Sequence, residues 1–290
     1  TTGGLTTAAG TSVSGVGAIS SSATTTLVDS TFTGTGAVTL TGTVTVFAPN
    51  NNTLTSLTIN ATTVNLTSSL TANAFTTTAG TIDLTGQTLN LGGTASFAGG
   101  AITFAGSTVN MTADANLTGN AAADFVNLSV TGGTTTAQSA INVTGAFTTT
   151  AGTFNDGGQA ISLSGTASLA TNTITAAGSL TLTDATISAT GGNTFNTVTI
   201  TGTGTTSITG SLVTTGDISF TTTPTLLMNG NAISTTGNID FSNAQAVSAI
   251  AAVKIDTTAA SRTLNTNALS FTGALTGLGN NNLVVTGALV

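Results

Sequence analysis

Few residues of this chain could carry acid–base or nucleophilic chemistry. The 290 residues include no His, Cys or Tyr, and all nine acidic groups are Asp; Lys254 and Arg262 are the only cations. Catalytic proton transfer and covalent catalysis draw mainly on residue types that are scarce or missing here. Three charged residues lie near one another in the sequence and could bind an acidic polysaccharide: Lys254, Asp256 and Arg262. A surface ion pair is the simpler interpretation of these three residues, so we predict that the chain is not an enzyme.

Two other arrangements of Asp could form a site. Asp114 and Asp124 flank a loop-like stretch, and paired carboxylates can hydrolyse glycosides. Isolated Asp residues more often form turns. The segment 155–158, Asn-Asp-Gly-Gly, offers oxygen ligands for calcium, but a calcium-binding repeat needs tight recurrence, and Leu84 occupies the position of Asp156 one repeat earlier. We therefore predict no catalytic residues, no cofactor-binding residues and no metal site, and hence no cofactor.

The charge balance excludes two classes of partner. The formal net charge is −7, whereas nucleic-acid binding depends on Lys and Arg that neutralise phosphates. No apolar run approaches the ~18 residues that a membrane-spanning helix needs. We expect no nucleic-acid partner and no membrane insertion. The low-charge composition rich in Thr, Gly and Asn is typical of extracellular bacterial surface proteins, and it predicts that location.

The composition also favours strands. About a quarter of the residues are Thr, which has low helix propensity and high strand propensity. Disorder is disfavoured because 39% of the residues are hydrophobic. An all-β chain is the resulting prediction.

The chain repeats itself every 70–73 residues. The heptapeptide at 75–81 recurs identically at 147–153, a third copy begins at Phe220, and a weaker one begins at Leu5. Internal repetition at such periods is typical of solenoids. The predicted units are 5–74, 75–146, 147–219 and 220–290, within a single β-solenoid domain spanning 1–290.

Within each unit the apolar residues alternate with polar ones, most clearly at 38–46. Alternation places one set of side chains inside and the other outside. Three strands per coil predict coils of about 24 residues, hence about 12 coils in a parallel β-solenoid. On this scheme Phe75, Phe147 and Phe220 point inward and stack three coils apart.

The repeat at 78–93, together with markers such as Phe125-x-x-Leu128-x-Val130, resembles the repeats of filamentous-haemagglutinin-like and autotransporter-type bacterial surface proteins. The resemblance implies a right-handed parallel β-helix outside the cell, with a role in adhesion or matrix. A string of β-sandwiches of ~70 residues is the alternative fold. Such sandwiches typically have longer strands and an aromatic anchor in the core.

Threonine rows raise a further possibility. Thr39, Thr41, Thr43 and Thr45 form one row, and 197–201 holds another; both resemble ice-binding surfaces. Because Thr occurs on almost every strand, the favoured interpretation is that Thr simply occupies outward positions without a specific binding role.

The expected function is a non-catalytic extracellular structural protein, a segment or subunit of a bacterial surface fibre, sheath or adhesin. The alternative is a surface-binding module for glycan or ice. The segment 283–290 still has a strand pattern. Uncovered strand edges recruit other strands, so end-to-end self-association is the predicted partnership.

Overall fold

The computed structural model describes residues 4–14, 17–23, 25–26, 28, 31–33, 38–41, 43–47, 53–120, 125–170, 173–175, 178–222, 224–228, 232–237, 239–241, 246–249, 253–257, 263–266, 270–271, 275–276 and 282–285. All regular structure in these segments is β-strand, with no helix. The chain divides into two compact units, unit 1 (Thr1–Ala140) and unit 2 (Ile141–Val290).

Short strands dominate both units. Those of unit 1 are β1 (Ser12–Ser14), β2 (Ile19–Ser21), β3 (Thr25–Thr26), β4 (Thr31–Thr33), β5 (Val38–Leu40), β6 (Thr43–Phe47), β7 (Thr53–Leu66), β8 (Leu70–Asp83), β9 (Thr88–Leu91), β10 (Ala95–Ser96), β11 (Ala101–Thr103), β12 (Thr108–Met111), β13 (Ala115–Thr118), β14 (Asn127–Val130) and β15 (Thr134–Ala137).

Unit 2 contains β16 (Ile141–Val143), β17 (Ala146–Thr149), β18 (Thr153–Asn155), β19 (Ile161–Leu163), β20 (Thr166–Leu169), β21 (Ile174–Thr175), β22 (Ser179–Thr183), β23 (Thr186–Ala189), β24 (Thr194–Phe195), β25 (Thr197–Thr201), β26 (Thr205–Ile208), β27 (Leu212–Thr214), β28 (Ile218–Phe220), β29 (Thr225–Met228), β30 (Ala232–Thr235), β31 (Ile239–Phe241), β32 (Ala246–Ala249), β33 (Val253–Thr257), β34 (Thr263–Thr266), β35 (Ser270–Phe271), β36 (Leu275–Thr276) and β37 (Asn282–Val285).

In unit 1 the strands form three parallel stacks, each named after its first strand. The β1 stack continues through β4, β7, β8, β9, β12 and β14. The β2 stack continues through β5, β7, β8, β10, β13 and β15. The β3 stack contains β6, β7, β8 and β11. The 14-residue strands β7 and β8 run around the corners of their coils, so each contributes to all three stacks.

Unit 2 has the same three-sided construction. The β16 stack continues through β19, β22, β25, β28, β31, β34 and β37. The β17 stack contains β20, β23, β26, β29, β32 and β35. The β18 stack contains β21, β24, β27, β30, β33 and β36. Each unit is thus a parallel β-solenoid, which confirms the predicted fold class and excludes the sandwich alternative.

The coils are shorter than predicted. Ile141 pairs with Ile161, and Ile161 pairs with Leu180 on the next coil. Most registers in both units join residues 18 to 22 positions apart. The expectation of 24 residues per coil is therefore wrong over most of the described chain. The reason is that turns of two or three residues suffice at many corners.

This shorter coil changes where the repeat markers fall. Phe75, Phe147 and Phe220 are at most 3% exposed, as predicted for inward residues. Phe147 lies on β17, however, and Phe220 lies eleven strands later on β28, in the β16 stack. Eleven is not a multiple of three, so the predicted vertical alignment of these two rings is wrong. The repeat copy that begins at Leu5 is displaced in the same way in unit 1. Its Thr6 bridges to Thr26 in the β3 stack, whereas Phe75, at the start of the next copy, lies in the β2 stack.

The core consists of the alternate, inward residues of the strands. On β9, Leu89 and Leu91 are buried while Asn90 between them is partly exposed. No coil can cover its own inner face, so burial depends on the coils above and below. Each fully buried Leu, Ile or Val stabilises the stack by about 1.5–3 kcal/mol.

Glycines allow the coils to approach each other at corners. Gly80 and Gly100 lie one coil apart and have φ angles of 91° and 78°. A Cβ on Gly100 would collide with the carbonyl oxygen of Gly80. Only Gly adopts this backbone conformation readily and also fits the space.

Candidate functional surface

The outer surface of the coils carries short polar side chains in vertical columns. In unit 1 the in-register pairing aligns six hydroxyl residues on consecutive coils of the β2 stack. All six are partly exposed, and one of them, Thr39, belongs to the predicted row. The column contains Ser20, Thr39, Thr58, Thr76, Ser96 and Thr118.

The Thr row predicted at 39–45 is not a single flat surface. Thr39 belongs to β5 in the β2 stack, whereas Thr43 and Thr45 belong to β6 in the β3 stack. Thr41 lies at the corner between the two strands. The row at 197–201 does lie on one strand, β25.

Threonines placed just after a strand lock each coil to the preceding one. In Thr112 both the backbone N–H (2.9 Å) and the hydroxyl (3.2 Å) donate to the carbonyl of Leu91, 21 residues earlier. Thr131 makes the same pair of bonds to Met111, and Thr190 makes them to Leu169. The motif also occurs at Thr41 and Thr209. This use of Thr was missed in the sequence, where its signal is a Thr directly after the last inward residue of a strand.

Carboxylates serve the same purpose at other corners. Asp114 Oδ1 accepts the backbone N–H of Thr134 (2.7 Å), and Asp184 Oδ1 accepts that of Gly204 (2.7 Å). Asp184 adopts a left-handed conformation (φ 49°), which Asp tolerates better than most residues. A Cβ on Gly202 would collide with the carboxylate of Asp184. Each of these two Asp residues therefore connects its own coil to the next one.

The Asn-Asp-Gly-Gly segment proves to be a corner of this kind. Asp156 is fully buried, and its Oδ1 accepts the N–H of Gly158 (2.8 Å) while Oδ2 accepts that of Gly178 (2.9 Å). Backbone N–H groups thus bind the oxygens that were considered as calcium ligands. Within the described ranges, no group of three or more His, Cys, Asp or Glu side chains could hold a metal ion.

One carboxyl group has a perturbed pKa. The hydroxyl and the backbone N–H of Thr85 both bond to the Asp83 carboxylate and hold the pKa of Asp83 below its ordinary value. This bond stays within one turn, so the Asp83 carboxylate stabilises that turn.

The residues considered for catalysis are only partly described. Asp124 and Arg262 lie outside the described residues. Lys254 and Asp256 occupy β33, paired through their backbones with Ala232 and Ser234. Asp114 is exposed at the edge of a shallow groove of about 390 Å³ in unit 1. The groove is lined by Thr94, Asp114, Ala115, Asn116, Thr134 and Thr136.

This groove spans three coils of the β2 stack. In-register pairing of β10, β13 and β15 aligns Thr94, Asn116 and Thr136 in one column. Asn116 Oδ1 accepts a bond from Gln138 Nε2 (3.2 Å). The described lining residues carry hydroxyl, amide and carboxylate groups, so the groove offers hydrogen bonds to a polar ligand. Asp114 is the single carboxyl among them.

Comparisons with known proteins add no relationship to this geometry. No protein-family model matches the chain, and no curated protein or solved structure is significantly similar to it. None of the described segments forms a helix that is long and apolar enough to cross a membrane. The likeness to haemagglutinin-type repeats therefore remains an interpretation of the sequence pattern.

Proposed function

We propose that this chain is a non-catalytic structural protein, a β-solenoid segment of a bacterial surface fibre, sheath or adhesin. The observation that carries the proposal is the dense locking of coil to coil. Strand-end Thr hydroxyls and corner Asp carboxylates add side-chain bonds to the continuous backbone pairing. A chain built this way resists bending and fraying, which is what a load-bearing segment requires.

The composition of the outer surface supports an extracellular setting. Outward positions are filled mainly by Thr, Ser and Asn, which stay hydrated and carry no charge. Such a surface is insensitive to the pH and salt changes that a cell surface meets, because few of its groups titrate or are screened. The resemblance to haemagglutinin-type repeats points to the same location.

We further propose that solenoid ends pair with other β-structure, with end-to-end self-association as the leading case. Strand β1 pairs with β4 and with no other described strand. Its inward residue Val13 is half-buried, whereas Val109 on an inner coil is fully buried. A partly exposed apolar residue beside a strand edge that no described strand covers favours the addition of another strand. Head-to-tail contacts extend without closing, so they would yield filaments.

Electron microscopy and light scattering of the whole chain at increasing concentration test this proposal. We expect filaments about one solenoid wide. Val13→Lys should abolish them, since an inward charge blocks strand addition at an edge. Ser12→Lys, one residue away on the exposed face, is the matched control and should assemble normally. A wild-type chain that stays monomeric at every concentration contradicts end-to-end assembly.

The groove beside Asp114 favours a second candidate function, binding of a neutral glycan. Its hydroxyl, amide and carboxylate groups suit sugar hydroxyls, and Trp and Tyr, on which sugar rings commonly stack, are absent from the sequence. Titration with neutral oligosaccharides should therefore show weak binding that Asn116→Ala removes. Hydrolysis of any tested polysaccharide would contradict the non-catalytic assignment.

A further inference from the structure

One stack of unit 2 carries two adjacent, unbroken columns of hydroxyl groups. On the β16 stack, in-register pairing aligns Ser162, Thr181, Thr199 and Ser219 on four consecutive coils. The second column lies two residues further along each strand. We call the eight residues the hydroxyl grid: Ser162, Ser164, Thr181, Thr183, Thr199, Thr201, Ser219 and Thr221.

The grid is regular and none of its eight residues is charged, while Asp240 follows Ser219 in register on the next coil. Coils are ~4.8 Å apart, and alternate residues of a strand are ~6.6 Å apart. The inward residues between the columns are fully buried, among them Leu182, Val198 and Ile200. Because each strand is paired on both sides, the positions of the hydroxyls are held rigidly.

The hydroxyls of the grid are also available. Within the described residues, the hydroxyl of Thr201 bonds to that of Thr222 (3.2 Å). The side chains of the other seven grid residues make no hydrogen bond within this part of the protein. By contrast, the strand-end hydroxyls of Thr190 and Thr209 on the β17 stack are bonded to backbone carbonyls. Each grid hydroxyl can therefore donate and accept hydrogen bonds outside the protein.

The neighbouring β17 stack carries a smaller array of hydroxyls. One of its columns contains Thr148, Ser168, Ser188 and Thr209, and the column beside it begins with Ala146 and ends at Leu227. The β18 stack has no such array among its described residues, since its outward column runs Asn155, Thr175, Thr194 and Val213. Thr175 and Thr194 are in register with each other on this interrupted column, so they provide controls of equal chemistry on a less regular surface.

The dimensions of the grid decide between kinds of partner. Four coils and two columns cover roughly 14 Å by 7 Å, far below the ~800 Å² per partner of a stable protein interface. The grid contains no cationic residue and is bordered by Asp240, so it does not attract nucleic acid. Many weak, identical bonds add up only when the partner repeats with the same period in two dimensions. A rigid grid also loses no conformational entropy on binding.

We propose that the hydroxyl grid binds the ordered water lattice of an ice surface. Such a lattice is uncharged and periodic in two dimensions, and it both donates and accepts hydrogen bonds at every oxygen. The Thr methyl groups between the hydroxyls restrict water to the lattice positions. This role goes beyond the structural function proposed above and does not depend on end-to-end assembly.

Partition of the fluorescently labelled whole chain into slowly grown ice tests the proposal. We expect wild-type protein to be enriched in the ice fraction. Thr181→Tyr with Thr199→Tyr should lower that enrichment about tenfold, which corresponds to ~1.4 kcal/mol of binding free energy. Thr175→Tyr with Thr194→Tyr is the matched control and should behave as wild type.

Three results would overturn the proposal. One is a wild-type chain that enters ice no better than the grid variant. Another is an equal loss in the control variant, which would show that the grid is not the binding surface. The third is binding to crystalline cellulose without enrichment in ice, which would assign the grid to a polysaccharide. Circular dichroism verifies that each variant keeps its strands. If the Tyr variant of the grid does not fold, Thr181→Lys takes its place. Val13→Lys should leave ice partition unchanged.

Discussion

The interiors of the two units are filled in different ways. In unit 1, Phe97 packs against three other rings, those of Phe75 (centroids 4.9 Å apart), Phe125 (5.3 Å) and Phe104 (5.7 Å). Phe104 and Phe125 also contact each other at 5.0 Å. All four side chains are almost fully buried. Here the coil interior is wide enough for a continuous aromatic cluster.

The described part of unit 2 has one aromatic pair, Phe147 and Phe154 (5.3 Å), and it also contains a buried polar corner. Asn193 Oδ1 accepts the backbone N–H groups of Thr173 and Ile174, both at 2.9 Å. Its Nδ2 donates to the carbonyls of Ala170 (2.7 Å) and Thr190 (2.9 Å). One amide thus satisfies four backbone groups at a bend of the coil. The comparison shows that apolar volume supports the interior in one unit, while hydrogen bonding supports a corner in the other.

The largest expected effect is on the aromatic cluster. Phe97→Ala removes a ring that contacts three others and leaves a cavity, which should destabilise the protein by about 3–5 kcal/mol. Urea unfolding monitored by circular dichroism measures the change. Phe97→Leu keeps most of the volume and should cost less than ~1.5 kcal/mol. Equal losses for the two variants would show that the cavity is not the cause.

A smaller loss is expected at the polar corner. Asn193→Leu is close in volume but removes the acceptor of two buried backbone N–H groups, so stability should fall by about 3 kcal/mol. The control is Asn155→Ala at an exposed turn, where a single bond to Gly157 N (3.0 Å) is lost. Hydrogen exchange should show the Asn193→Leu effect first at Thr173 and Ile174. Unchanged exchange at these two amides would contradict the role given to Asn193.

The smallest change should be a gain in stability. Thr206 is fully buried, and its hydroxyl has no hydrogen-bond partner among the described residues. Thr206→Val removes that hydroxyl without changing the shape of the side chain, and it should stabilise unit 2 by about 1 kcal/mol. Thr135→Val should do the same in unit 1.

Thr149→Val provides the opposite control for the two stabilising variants. The buried Thr149 hydroxyl lies 2.5 Å from that of Thr173, so its loss should destabilise the protein. The urea midpoint distinguishes the two outcomes, since it rises for a stabilising variant and falls for a destabilising one. A lower midpoint for Thr206→Val would mean that its hydroxyl finds a partner in solution.

The sequence predicted the fold class well and the coil geometry poorly. Alternation around Leu89 and Leu91 identified inward residues because the period of two follows directly from strand geometry. The corners could not be located, since Gly and Asn occur both at corners and within outward positions such as Asn90. Coil length was therefore overestimated, and the stacks of Phe147 and Phe220 were predicted wrongly.

The side-chain locks were beyond sequence reasoning for a different reason. The residues next to Asp156 are compatible both with a carboxylate that binds calcium and with one that accepts the N–H of Gly178, so local sequence cannot distinguish the two roles. Only the register between coils brings Gly178 within reach. Likewise, nothing next to Asn193 in the sequence reveals that residues 173 and 174 supply its partners one coil earlier.

The offset of eleven strands from Phe147 on β17 to Phe220 on β28 has a consequence for how such a chain can lengthen. A duplicated segment of this length does not return to its starting side, and yet its inward residues are still buried. The three sides must therefore accept the same set of inner residues. A gene encoding this architecture can therefore gain or lose a repeat of eleven strands, which is not a whole number of coils, without losing the core. Recombination between repeats is then tolerated at many more breakpoints than in a solenoid whose sides are specialised.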